Sequence, residues 1–339
     1  MKRVQIIELL RGVGALMVAI SHIKTQNTYA IWQFITNRGF LGLDVFYVIS
    51  GFVVPFSLVG IGYSLRRFPR FMARRMVRLE PAYLLSVAAA IFLWELASLT
   101  PWYRGVPPNW TWLQLAAHLF YLIPLTSYQW LQPVYGSLAY EFVFYIVVGL
   151  TFAFLIGRHI AFTFALGVGA VIIMFGIRGS LDEWVPEFLV GALLMRFCID
   201  RKKSILFWLA LALAISFASG GLARGAVTLL TVCAVYFFRT VEFGRPALFF
   251  GAISYSLYLL HDIVGTRVTN LGLRFGSGPA YETALVIFSI LVSVAAATAF
   301  WWAVDRVCVA ASRKIALTEG FSIAVAAEDQ SGGKLTVKD

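Results

Sequence analysis

Thr283 to Val304 reads TALVIFSILVSVAAATAFWWAV and contains no charged residue, no glycine and no proline. About 20 apolar residues in helical form cross the hydrocarbon core of a bilayer. A backbone in lipid has to satisfy its own polar groups, and a helix does so within one segment. The stretch therefore predicts a transmembrane helix. Working outward, Ile160 to Ile177 and Ser204 to Ser219 read the same way. The whole chain shares this character: 60% of its 339 residues are hydrophobic and 13% are charged, whereas soluble domains carry about a quarter charged. Ten spans are expected, near 4–23, 39–60, 79–100, 134–156, 160–177, 184–199, 204–219, 222–238, 246–266 and 283–304. The fold class is an all-α polytopic membrane protein, with membrane lipid as its first partner.

The net charge of +11 follows topology. With the N-terminus inside, the cytoplasmic segments hold 20 of the 28 Lys and Arg, the external ones seven, and Arg11 lies within the first span. The positive-inside rule thus puts both termini in the cytoplasm, and no nucleic-acid partner is needed to explain the basic balance. This topology requires Thr111 to Leu125, apolar but short, to be re-entrant or interfacial. Trp102, Trp110, Trp112 and Trp130 around it suit a membrane–water boundary. Glu8 and Arg11 interrupt the first apolar run, so it is read as a retained span and not a signal peptide. A membrane domain is expected over 1–307 and a disordered cytoplasmic tail over 308–339, where apolar runs give way to a polar mixture. Cys198, Cys233 and Cys308 lack metal or redox spacing, so no metal site is expected.

Charge inside a membrane costs at least about 2.5–3.5 kcal/mol per residue, and this chain retains several such groups. Arg11 and His22 are eleven positions apart, three turns plus about 20°, which places them on one face of the first helix some 16 Å apart. Glu8, one turn from Arg11, is spaced to pair with it. Asp44, Glu141, His261, Asp262 and Asp305 add charge in other spans. Such groups either glue helices together or build a polar interior. An imidazole exchanges protons near neutral pH, which makes His22 the sharpest catalytic candidate. LRRFPRFMARRMVRLEP, 65–81, spaces Arg67, Arg70, Arg74 and Arg78 at helical intervals, with Arg75 beside them. This guanidinium array suits a ligand with several phosphates, or equally the headgroups of anionic lipid.

Five strings together resemble the acyltransferase-3 family of membrane acyltransferases. ELLRGVGALMVAISH, 8–22, is similar to the family's opening motif of Arg and His separated by ten residues. GLDVFYVISGFVV, 42–54, resembles its Gly-x-Asp and Ser-Gly-Phe signature, with Asp44 and Ser50. ARRMVRLEPAYLL resembles its Arg-x-x-Arg loop followed by Pro and Tyr. GSLAYEFVFY resembles its Ser-Leu-x-x-Glu-x-x-Phe-Tyr string, with Ser137, Glu141 and Tyr145, and Gly136 where Trp is usual. ISYSLYLLH resembles its late Ser-Tyr-x-x-Tyr-Leu-x-His motif, with Ser254, Tyr255, Tyr258 and His261. VDRV puts Asp305 where many relatives have Glu followed by Arg-Pro, and the Pro is absent.

The resemblance implies an acyl-CoA co-substrate, usually acetyl-CoA, entering from the cytoplasm. It also implies a hydroxyl acceptor on a cell-surface or lipid-linked glycan, approached from outside a plasma membrane, for a bacterium the inner one. Arg74, Arg75 and Arg78 would hold the CoA phosphates and Arg11 the pantetheine path. His22 would act as general base on the acceptor or as a transient acyl carrier, with Asp44 or Glu141 orienting it. Ser50, Ser137, Tyr145, Ser254, Tyr255, Tyr258 and His261 would support acceptor or oxyanion. The alternative is a transporter or flippase for a glycan or a proton-coupled solute, which also needs intramembrane charge. Oligomeric state is not legible in the sequence.

Overall fold

The computed structural model describes residues 4–101, 103, 105–156 and 184–317. Among them the protein is helical throughout, without strands. The helices are α1 (Gln5–His22), α2 (Ala30–Thr36), α3 (Gly42–Val59), α4 (Phe68–Ser98), α5 (Trp112–Leu119), α6 (Tyr135–Ile156), α7 (Val185–Asp200), α8 (Lys203–Phe238), α9 (Arg245–Gly272), α10 (Pro279–Phe300) and α11 (Arg306–Arg313). Among the described residues, seven stretches are long and apolar enough to cross a membrane: Gln5–His22, Ala30–Val59, Leu65–Ser98, Tyr135–Ala153, Lys203–Phe238, Arg245–Gly272 and Pro279–Arg313. α7, with 16 residues, is shorter than these. The span expected at 160–177 lies outside the described residues.

α8 is not one rod. Gly221 breaks it with φ of 76°, and the Ser216 hydroxyl reaches Thr228 Oγ1 at 3.4 Å. Twelve residues along a straight helix are about 18 Å, so the two arms fold back on each other, in keeping with the separate segments expected at 204–219 and 222–238. α4 also differs from its expected start at 79: it begins at Phe68, so the arginine array forms its first turns. Pro81 sits inside α4 without ending it.

Helix continues past residue 307, where the sequence reading ends the membrane domain. The last long helix passes through a π-helical turn, Trp301–Asp305, into α11, which packs along α4, and Leu317 is buried in the core. The sequence hid this because RVCVAASR is amphipathic and ends the apolar run. Residues 318–339 lie outside the described residues.

Close helix approach depends on small residues, because lipid supplies no hydrophobic drive between helices. α1 lies along α9, where a Cβ on Gly12 would meet Phe250 Cβ at 2.6 Å and one on Gly251 would meet the Glu8 carbonyl oxygen at 2.5 Å. α3 crosses α7 in the same manner at Gly51 and Gly191. One core gathers α3, α6, α7 and both arms of α8, and a second gathers α4, the start of α6 and α9.

α5 is about 12 Å long, too short to cross, as expected for 111–125. Thr111 caps it by accepting from the Gln114 amide at 3.1 Å. His118, fully buried, bonds the Tyr83 hydroxyl at 2.8 Å, and its Nε2 accepts from the Leu131 amide at 3.2 Å. Burial lowers the His118 imidazole to about 4. The unfolded chain, titrating near 6.5, binds the proton more readily, so this contribution is complete above about pH 6.5 and is lost as pH falls toward 4. We expect detergent-solubilised protein to lose up to about 3 kcal/mol of stability over that window. Thermal melting of His118→Gln should show a shallower acid dependence.

Candidate functional site

Between the two cores lies a cavity of about 830 Å³, within the usual range for small-molecule and cofactor pockets. One end is cationic. Arg11 comes from α1, Arg74, Arg75 and Arg78 from α4, and Arg306 and Arg313 from α11. Arg75 donates to Ser57 Oγ at 3.3 Å and lies over the Tyr145 ring at 5.0 Å. Asp305, carried in by the π turn, also lines the cavity and accepts from Ser256 at 3.3 Å. Glu8 and Arg11 both face the cavity. The expected ion pair between them does not form; the salt bridges of the described residues include Arg196–Asp200 and Arg224–Asp44.

The cavity is also lined by Ser50, Ser137, Glu141, Tyr145, Tyr255 and Tyr258, with Tyr145 next to Arg75. Glu141 accepts from Ser50 at 3.0 Å and from the Tyr145 hydroxyl. Ser137 and Tyr258 share a hydrogen bond, and Tyr258 also donates to the Val134 carbonyl at 2.8 Å. Tyr255 donates to the Leu79 carbonyl at 3.0 Å. A recess beside Glu141 adds Glu80 and Tyr121.

Four of the expected residues, His22, Asp44, Ser254 and His261, stand apart from this lining. Ser254 is buried and donates to the Gly251 carbonyl of its own helix at 2.8 Å. Asp44, 1% exposed, accepts from Arg224 Nε at 3.1 Å, and the Arg224 guanidinium lies 4.7 Å from the centre of the Trp184 ring. His22 does not line the cavity. Its ring meets His261 edge-on at 5.2 Å, and His261 lies 5.9 Å from Tyr258, which does line it. The polar stripe expected along α1 is therefore divided: Arg11 opens on the cavity and His22 stands two rings beyond it.

Sequence reading missed Arg306 and Arg313, whose signal is a seven-residue spacing that puts both on one face of RVCVAASR. It also missed Arg224, which no local pattern connects to Asp44.

A helical membrane bundle enclosing an arginine-rich cavity, with a histidine pair beside its Tyr258 wall, defines a class of intramembrane binding protein. Residues 4–298 match the family model of the acyltransferase-3 domain, described as an acyltransferase domain, and the chain belongs to that family. It is thus a membrane acyltransferase. No curated protein and no solved structure matched the chain.

Asp44→Asn removes the charge that faces the buried Arg224. Loss of one partner of a buried pair costs about 3–5 kcal/mol, so this variant should melt well below the wild type by fluorescence in detergent.

Proposed function

We propose that the protein transfers an acyl group, acetyl in the simplest case, from cytoplasmic acyl-CoA to a hydroxyl of a cell-surface or lipid-linked glycan. The observation that carries this reading is the cavity whose cationic end holds six arginine side chains and whose far wall is Tyr258, two rings from His22. Phosphates suit forked guanidinium donors, so Arg74, Arg75, Arg78, Arg306 and Arg313 hold the nucleotide end of the donor at the cytoplasmic mouth. Arg11, farther in, lies along the pantetheine arm. Ser50, Ser137 and Glu141 offer polar contacts beside that arm.

The acceptor comes from the opposite side. His22 takes the proton of its hydroxyl as the oxygen attacks the thioester carbonyl carbon, and the carbon–sulfur bond then breaks. The sulfur leaves toward the cytoplasm and takes up a proton as the free thiol. For the thioester to reach His22, the Tyr258 side chain has to turn aside. Family membership favours this chemistry over the transporter reading.

Purified protein in detergent with acetyl-CoA and a glycan acceptor tests the proposal. His22→Ala should lower kcat about 10²–10⁴-fold. Arg75→Ala should mainly raise KM for acetyl-CoA about tenfold or more, the worth of a charge-assisted hydrogen bond. Equal turnover in wild type and His22→Ala would overturn it. Mass spectrometry of surface glycans from cells with and without the protein identifies acyl group and acceptor together.

A further inference from the structure

A histidine that serves as base needs a fixed ring and a counter-charge for the imidazolium it becomes, the role a carboxylate fills in hydrolase triads. Sequence reasoning offered Asp44 and Glu141. Both have other bonds: Asp44 with Arg224 at 3.1 Å, Glu141 with Ser50 at 3.0 Å and with Tyr145. Glu141 moreover faces the cavity, whose lining excludes His22.

The ring packed against His22 comes from α9, the helix that α1 lies along. His261 presents its ring edge-on at 5.2 Å, held by an Nδ1 bond to the Leu257 carbonyl at 3.0 Å, and is fully buried. Its Nε2 has no hydrogen-bond partner among the described residues. The next residue, Asp262, is the acidic side chain whose charge acts on His22, and Lys24 is the basic one. Arg267 in turn acts on Asp262 and is tied down by the Ile263 carbonyl at 2.6 Å and the Ala90 carbonyl of α4 at 3.5 Å. The backbone contact of Gly12 with Phe250 and of Gly251 with Glu8 fixes the rotation of α1 against α9, and so fixes which face of α9 meets His22.

We propose that Asp262 is the positioning residue of the transfer, orienting the His22 imidazole and countering its positive charge, while the His261 ring holds that imidazole from the side. This rests on His22 acting as the base. As the acceptor oxygen bonds to the acyl carbon, its proton passes to His22. The imidazolium then stands beside the Asp262 carboxylate until the carbon–sulfur bond breaks and the proton is released to the departing sulfur. Asp262 itself neither bonds substrate nor gains a proton.

The test uses the full chain in detergent, with acetyl-CoA and acceptor, and compares Asp262→Asn, Asp262→Glu and His22→Ala at matched melting temperature and elution volume. Asp262→Asn should lower kcat about 10²-fold or more, by analogy with the loss of a triad carboxylate. Its KM for acetyl-CoA should stay within about twofold, because the residue lies away from the donor cavity, and Asp262→Glu should recover part of the lost kcat. Asp262→Ser carries the same readout if the asparagine variant does not fold. Unchanged kcat in Asp262→Asn with an inactive His22→Ala overturns the role of Asp262 alone, as does a rise in KM at unchanged kcat. Full activity in His22→Ala overturns the reading of His22 beneath it.

Discussion

The contact between α1 and α9 at Gly12 and Gly251 sets the rest of the site. A side chain at either position would meet Phe250 or the backbone of Glu8 at about 2.5 Å, far inside van der Waals contact. With no side chain there, the two backbones touch, and van der Waals packing of this kind is what holds helices together in lipid. Because both helices are rigid at that point, rotation about either axis is fixed over their whole length. Toward the N-terminal end of α1 this aims Arg11 into the cavity. Toward the C-terminal end it sets His22 against His261, the chain neighbour of Asp262. One contact made of missing side chains thus sets the direction of two charged groups about 16 Å apart.

The arginines follow a second constraint. Guanidinium groups in hydrocarbon are costly, and six of them here converge on one hollow instead of facing lipid. Cation–π contacts with Phe71 and Tyr145 and the bond to Ser57 hold Arg75 while its charge faces the cavity. The π turn adds to this end of the site. It shifts the register of the final helix so that Asp305 lines the same cavity as Arg11 and Arg78, which moderates repulsion among like charges without filling the space between them.

Much of this was legible in the sequence because each motif residue has one local task. In Ser50-Gly51-Phe52, successive residues point to different surroundings: Ser50 to Glu141 and the cavity, Gly51 to the backbone of α7, Phe52 to the core. Helical spacing likewise placed Arg74, Arg75 and Arg78 together, although as the start of α4 and not as a loop. The partners of those residues could not be read. Asp44 and Arg224 are 180 positions apart, and only tertiary packing decides that this carboxylate goes to a guanidinium and not to the nearer histidine. Spacing along α1 puts His22 on the face of Arg11, yet it carries no information about which helix stands in front of each. The amphipathic α11 escaped for the opposite reason: a short helix that ends an apolar run looks like a tail until its charged side is seen lining a cavity.

The aromatic partition formed by Tyr258 and the two imidazoles has a meaning for the cell as well as for the chemistry. A hollow wide enough for a thioester arm, open at both ends, would also conduct protons and ions and so discharge the gradient across the membrane. Under the proposed function, rings that only a bound donor displaces would keep the bilayer an insulator between turnovers. The donor's reactive carbonyl would then reach the far side only when the donor's own bulk already fills the hole.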